Sequence, residues 1–109
     1  MTMTLRQEKV KENIKHLVAK FLEKESNGTS LITVTDANVS KDLKKATIFI
    51  TVLPDSSEDS ALNFTKRKRS DIRGFIRKNL QMRILPFLDF EIDKGEKNRQ
   101  RIDELSLDL

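Results

Sequence analysis

Two short segments of the chain place apolar residues at every second position, and this pattern constrains the fold more than any other feature. They are ATIFITVL, residues 46–53, and FLDFEID, residues 87–93. Because side chains point alternately to the two faces of a strand, each segment predicts a strand with one buried face. The residues expected on the buried face are Ile48, Ile50, Val52, Leu88, Phe90 and Ile92. The residues expected to face solvent are Asp89, Glu91 and Asp93.

A further strand and a long helix are predicted before these segments. LITVTDANV, residues 31–39, is rich in β-branched residues and predicts a strand that pairs antiparallel with residues 46–53. From Leu5 to about Glu25, apolar residues recur at the three- and four-residue spacing of one helical face. These residues are Val10, Ile14, Leu17, Val18, Phe21 and Leu22. Asn27 and Gly28, which tolerate the left-handed conformation, are expected to stop the helix.

The region between the last two strands predicts two helices. Residues 54–60 form a loop of Pro, Asp and Ser, and a helix should begin near Asp59 or Ser60. One straight helix would point Arg69 into the apolar arc of the following residues, so a break is expected near Ser70, whose side chain can cap the second piece. Gly74 suggests close backbone packing or bending. Arg73 and Arg77 are expected one turn apart, beside the core residues of the second piece: Ile72, Phe75, Ile76 and Leu80. Pro86 ends the helical region.

The order helix, strand, strand, helix, break, helix, strand predicts a small α+β domain. Its three-stranded sheet should carry helices on one face and leave the other in solvent. The 109 residues suffice for one domain, residues 1–109, in which residues 94–109 form a short docked helix or a mobile tail.

The composition excludes several classes of function. The chain contains no cysteine, so disulfides, thiolate ligands and thiol nucleophiles are excluded. The only histidine, His16, is expected on the solvent side of the first helix, and DSSED, residues 55–59, lacks the pattern of a calcium loop. No Gly-rich phosphate loop is present. We therefore expect a protein that is not an enzyme and that uses no metal, cofactor or small-molecule substrate.

The chain shows no targeting or membrane segment in its sequence. Charged residues interrupt the N-terminal stretch that a signal peptide would need, and no segment approaches the roughly 20 apolar residues of a membrane span. We expect a soluble, monomeric, cytoplasmic protein.

Positive charge is concentrated in KRKRSDIRGFIRKNLQMR, residues 66–83. The segment holds eight Lys or Arg and one Asp, whereas the rest of the chain holds 13 basic and 16 acidic residues. Without Glu at i, i+4 positions to offset it, this charge favours a polyanion partner. Two alternatives are open for Lys41, Lys44 and Lys45. They either add to the positive electrostatic field of residues 66–83 or are exposed loop residues without a role in binding. The residues expected to contact phosphates are Lys66, Arg67, Lys68, Arg69, Arg73, Arg77, Lys78 and Arg83.

Two other partners remain open on this evidence of charge. An acidic protein could meet the same face, and a membrane surface is less favoured because broad apolar anchors are missing. The six Phe are the only rings that could stack on exposed bases, and the core is expected to need most of them, which weighs against a base-stacking platform.

The two adjacent helices flanked by strands are similar to the KH fold, although the KH GxxG loop is missing here. More specifically, the chain resembles the ribosome-binding factor A family of bacterial small-subunit assembly factors. The resemblance spans nearly the whole chain and rests on RQEKV, VSKDLKKATIFITVL, GFIRKNL and MRILPFLDFEID. It implies a KH-like (type II) domain that binds the immature small subunit near its decoding-region RNA. It also implies a role in late maturation and processing of 16S rRNA, and in growth in the cold.

The resemblance also implies a kink. The family usually has Ala-x-Gly in place of the GxxG loop, which corresponds here to Ile72, Arg73 and Gly74, with Ile72 at the alanine position. Ser40 and Asp42 match the family motif together with Ala46, but we favour structural roles for them. Short polar side chains commonly cap turns, and a small residue can begin a strand beneath a helix.

Overall fold

A computed structural model describes residues 5–25, 31–80 and 85–95 of the chain. The predicted stop at Asn27 and Gly28 lies outside these residues, as does nearly all of the predicted tail. The elements are α1 (Leu5–Glu25), β1 (Leu31–Val39), β2 (Lys45–Leu53), a 3-10 turn (Asp55–Ser57), α2 (Glu58–Arg67), α3 (Arg69–Asn79) and β3 (Phe87–Ile92). Their order confirms the predicted α+β class.

The strands form one mixed sheet in the order β1-β2-β3, with β2 in the centre. β1 and β2 pair antiparallel, as predicted, with Leu31 opposite Leu53, and a bulge interrupts the register between Val34 and Asp36. β3 pairs parallel with β2 and begins with Phe87 opposite Lys45. A parallel partner requires a crossover connection, and α2 with α3 supplies it.

The core lies between the helices and one face of the sheet. α1 packs against β1 and α3, whereas α2 packs against β2 and β3. The predicted inward residues Ile48, Ile50, Val52, Leu88 and Phe90 are buried, and Ile92 is half-buried. The predicted apolar face of α1 is also buried, apart from half-buried Val10. Phe21 of α1 meets Phe75 of α3 with ring centroids 5.9 Å apart.

Three polar residues are more buried than is usual for their type. Asp89 and Asp93 were predicted to face solvent but are half-buried, because each has a partner from a distant part of the chain. Asp93 accepts a hydrogen bond from the hydroxyl of Thr35, and Asp89 forms an ion pair with Arg69. Gln7 is buried because its side-chain amide donates to the carbonyl of Val39, 3.1 Å away.

The break between α2 and α3 lies at Lys68, not at Ser70 or at residues 72–74. Lys68 has φ −87° and ψ 5°, and no side chain caps either helix at this junction. The interruption is local, because the Lys68 N–H still donates to Phe64 O and the Ile72 N–H to Lys68 O. The predicted cap at Ser70 is therefore wrong. The predicted kink residues Ile72, Arg73 and Gly74 lie within α3, where Ile72 is fully buried in the core.

Gly74 faces solvent, and no neighbouring atom lies within 4 Å of the position that a Cβ would occupy. Close backbone packing, which the sequence suggested, is absent at this position.

We expect Gly74→Ala to raise the free energy of unfolding by about 1 kcal/mol, because glycine is the poorer helix former and the added methyl meets nothing. Urea unfolding followed by circular dichroism would measure the change. Gly74→Val should raise the free energy of unfolding by less than Gly74→Ala, because a valine side chain loses rotamer freedom in a helix. Destabilisation by Gly74→Ala would contradict a regular helix at this position.

The turn between β1 and β2 is held by short polar side chains. The Ser40 hydroxyl donates to Asp42 Oδ1 at 2.6 Å, and the Lys44 N–H donates to the same oxygen at 3.0 Å. The Lys45 N–H donates to Ser40 Oγ at 3.0 Å, while Leu43 adopts a positive φ of 60°. These bonds confirm the structural roles of Ser40 and Asp42, and Ala46 is fully buried at the start of β2.

The hydrogen bond from Ser40, followed by the bond from the Lys44 N–H, holds the pKa of the Asp42 carboxyl below its usual value of 3.8. A carboxyl whose pKa is lower in the folded state favours folding while it is ionised. Its contribution is therefore fully present above the unfolded-state pKa and is lost as the pH falls through the lower, folded-state pKa.

Asp42→Asn should accordingly be less stable than the wild type at neutral pH, and the difference should disappear at strongly acidic pH. Unfolding midpoints in urea, measured from neutral to acidic pH, would test this. Glu23→Gln, which removes a charge from the exposed side of α1, is the control. A difference between wild type and Asp42→Asn that stays constant with pH would refute a role for the ionised carboxylate.

Candidate nucleic-acid interface

The predicted basic residues come from three elements of the fold. α2 carries Lys66 and Arg67, the start of β2 with the turn before it carries three lysines, and α3 with its preceding residue carries the others. Arg83 lies outside the described residues. The remaining predicted contacts within the described residues are Lys41, Lys44, Lys45, Lys66, Arg67, Lys68, Arg69, Arg73, Arg77 and Lys78.

Arg69, Arg73 and Arg77 follow one another at four-residue spacing along α3, and we call them the basic stripe. Residues four apart lie one above the other on a helix, so the three side chains share one side of α3. That side borders the buried face formed by Ile72 and Ile76. The helix that supplies core residues therefore also positions a line of guanidinium groups at the edge of the core.

Arg69 connects the basic stripe to the edge strand β3. Its guanidinium carbon lies 4.5 Å from the centroid of the Phe87 ring, within the range of a cation–π contact. Its Nη2 lies 3.7 Å from Asp89 Oδ1. Arg69 is 28% exposed, so these contacts fix its position while part of its charge remains accessible. This ion pair offsets part of the positive charge predicted for the segment.

Arg73 is half-buried beside the segment that leads into β3. Its Nη2 donates to the carbonyl of Leu85 at 3.5 Å, which is a weak hydrogen bond. The Nε atoms of Arg69 and Arg73 are buried and have no hydrogen-bond partner among the described residues. Through their contacts with Phe87, Asp89 and the Leu85 carbonyl, both arginines help to hold the fold together, whether or not they also contact a ligand.

The other basic residues of α2 and α3, together with Lys68 between them, make fewer contacts within the fold than Arg69 and Arg73. Lys68 lies 3.8 Å from Asp71, in an exposed pair of the kind that contributes little stability. Within the part of the chain that the structure describes, no carboxylate forms an ion pair with four further cations of α2 and α3. These exposed side chains are Lys66, Arg67, Arg77 and Lys78. Their charge is directed at solvent and is available to a polyanion.

The structure places Lys44 and Lys45 beside Phe87, the residue that Arg69 contacts. The Phe87 N–H donates to the carbonyl of Lys44 at 2.8 Å, and Lys45 lies opposite Phe87 in the sheet. Because Arg69 lies against the Phe87 ring, Lys44 and Lys45 extend the same basic surface from the other side of β3. Lys41 is exposed on the turn itself. Long-range pairing of β2 with β3 produces this convergence, which the sequence left undecided.

Two polar residues of α2 were missed by sequence reasoning. Ser60 and Asn63 line a shallow, open depression together with Lys66 and Arg67. The available signal was the spacing: Ser60 lies three residues before Asn63, which lies three and four residues before the two cations, and residues at such spacing share a helical face. A hydroxyl, an amide and two cations can all donate hydrogen bonds to phosphate oxygens.

The described residues offer no arrangement for metal chemistry. Among them, no cluster of three or more His, Cys, Asp or Glu side chains is placed to hold a metal ion. His16 is exposed on α1, as the sequence predicted. None of the helices in the described ranges is long and apolar enough to cross a membrane.

Comparison with solved structures identifies the same architecture in other proteins. A crystal structure of ribosome-binding factor A from Thermus thermophilus matches with a TM-score of 0.71 and 21% identity, over 79% of this chain and 94% of that one. A homology model of the Thermus thermophilus ribosome binding factor A, fitted into the cryo-electron microscopy map of a 30S complex with that factor, matches with a TM-score of 0.66 and 22% identity. That match covers 74% of this chain and 88% of the other.

Sequence comparison extends the relationship from fold to family. The family described as Ribosome-binding factor A matches residues 6–106. The ribosome-binding factor A of Clostridium botulinum (strain Eklund 17B / Type B) is 34% identical over 104 residues, which cover 89% of this chain and 88% of that protein. With a match across most of its length and a relative at this level of identity, the chain belongs to the ribosome-binding factor A family.

Proposed function

We propose that this chain binds the small ribosomal subunit through its 16S rRNA and assists late maturation and processing of that RNA without catalysing a reaction. The observation that carries the proposal is the meeting of the basic stripe with Lys44 and Lys45 at the β3 edge. A group of basic residues brought together from separate elements is the electrostatic footprint expected of a protein that binds a phosphate backbone. On this proposal, the protein acts as a monomer in the cytoplasm, where small subunits are assembled.

The chemistry of the surface supports contact with phosphates rather than with base edges. Arginine can grip a phosphate through two donors, whereas lysine acts as a mobile point charge. Such contacts position a protein on RNA without reading its sequence. The ribosomal target is supported by membership of a ribosome-binding family and by the relative that was fitted into a 30S complex.

A second candidate partner is an acidic protein, since the same exposed cations would meet carboxylates. It can be separated from RNA by competition. Bulk RNA should displace the protein from a ribosomal RNA site, whereas a complex with an acidic protein bound elsewhere should survive.

The charge-reversal variant Lys45→Glu/Arg77→Glu should lose binding to small subunits. Both side chains are exposed and have no ion-pair partner among the described residues, so their reversal should repel phosphates while leaving the core unchanged. Arg69 and Arg73 are avoided because they contact Phe87 and Leu85. Co-sedimentation with small subunits, large subunits and intact ribosomes at two salt concentrations would measure the effect.

The matched control is Lys9→Glu/Lys20→Glu, which makes the same charge change on exposed positions of α1. It should still pellet with small subunits. If both variants bind equally well, or if the wild type pellets equally with every particle, the proposed surface or the proposed target is wrong.

The salt dependence of binding supplies a further test. If about six phosphates are neutralised, log affinity should fall with log salt with a slope of about −4 for single strands and about −5 for duplex RNA. Each lost phosphate contact should reduce the slope by about one. A flat salt response would exclude phosphate contacts as the source of affinity.

A further inference from the structure

Phe87 is the one phenylalanine that the fold leaves in solvent. All six phenylalanines lie in the described residues; Phe21 and Phe90 are buried, and three others are half-buried. Phe87 is 49% exposed at the start of the edge strand β3, where the core could not cover it. This exposure agrees with the alternation of residues 87–93, because Phe87 has the same parity as Asp89 and Glu91 on the outer face.

The exposed ring is surrounded by cations. Arg69 covers one part of it, with its guanidinium carbon 4.5 Å from the ring centroid. On the other side, Lys45 lies opposite Phe87 in the neighbouring strand. Burial alternates along both strands with Ala46 and Leu88 inside, so Lys45 and Phe87 project from the same outer face of the sheet. The backbone of Lys44 also lies beside Phe87, because its carbonyl accepts a hydrogen bond from the Phe87 N–H.

Contacts with the neighbouring Arg69 restrain the ring on one side. The ion pair between Arg69 and Asp89 holds the guanidinium against Phe87, and Asp89 offsets the charge of Arg69. The two lysines have no ion-pair partner among the described residues and keep their charge for a ligand. An aromatic face beside two exposed cations matches a nucleotide, which presents a flat base and a phosphate.

We propose that Phe87 stacks on an unpaired nucleobase of the bound RNA while Lys44 and Lys45 contact the adjacent phosphates. The inference rests on the proposed function only for the choice of RNA as ligand. Because bases inside an A-form helix are already stacked on one another, the site should select a single-stranded segment or a splayed base over duplex RNA. Stacking tolerates any base, so the preference concerns strandedness rather than sequence.

The test compares wild type with Phe87→Leu, which keeps an apolar side chain but removes the ring. The probes are a fluorescently labelled oligoadenylate and an RNA hairpin of similar length, closed by a compact tetraloop whose bases are held within the loop. Binding of each is measured by anisotropy over a series of salt concentrations. We expect Phe87→Leu to weaken binding of the oligoadenylate by about 5- to 150-fold, the usual range for loss of one stacked base. Binding of the hairpin, and the salt slope for both probes, should not change.

Two further variants separate stacking from folding. Phe87→Tyr keeps the ring and should bind the oligoadenylate as the wild type does. Leu53→Ala changes another exposed apolar residue of the sheet, far along β2 from Phe87, and should have no effect on either probe. Since the chain contains no tryptophan, Phe87→Trp gives a single reporter whose fluorescence should be quenched by the oligoadenylate and not by the hairpin.

The outcomes distinguish this inference from the proposed function. If Phe87→Leu binds oligoadenylate as tightly as the wild type, or loses both probes equally, stacking at Phe87 is refuted and the phosphate surface stands. Wild-type protein that binds neither probe refutes both. Loss of oligoadenylate binding in Phe87→Tyr as well would assign the effect to disturbed packing of Arg69 and would also refute stacking.

Discussion

The central strand β2 is the constraint on which the rest of the structure depends. Both other strands pair with it, and its inward residues Ala46, Ile48 and Ile50 are completely buried beneath the helical layer. The same strand also fixes the candidate interface. Lys44 and Lys45 stand at its start, and their pairing with Phe87 sets β3 beside the basic stripe of α3. The register in which β2 pairs with its neighbouring strands therefore determines both how the core packs and where the surface charges lie.

The basic surface combines two physical roles that a count of charges does not separate. Arg69 and Arg73 lie partly inside the fold and contact Phe87, Asp89 and the Leu85 carbonyl. A guanidinium group suits this position because it is planar, can stack on a ring and is more weakly hydrated than an ammonium group. Arg77 and the exposed lysines have no such contacts in the described part of the chain. The inner arginines orient the surface, and the outer cations supply most of its free charge.

Sequence periodicity was sufficient for features that depend on local pattern, including the strands, the face of α1 and the burial of Leu88 and Phe90. It failed where a partner comes from far along the chain. The parallel pairing of β3, the ion pair of Asp89 and the meeting of Lys45 with Phe87 all depend on tertiary register. The straight-helix conflict at Arg69 correctly indicated a break, but the position of that break depended on the backbone of Lys68, whose side chain gives no local signal.

The parallel pairing of β3 also has a consequence for synthesis on the ribosome. The partner of β2 on this side follows α2 and α3 in the chain, so β2 leaves the ribosome well before β3 exists. Until then, one edge of an apolar strand stays unpaired, and unpaired edges of this kind promote association between nascent chains. Slow translation between Leu53 and Phe87 would prolong that exposure and with it the time in which the unpaired edge can meet another chain.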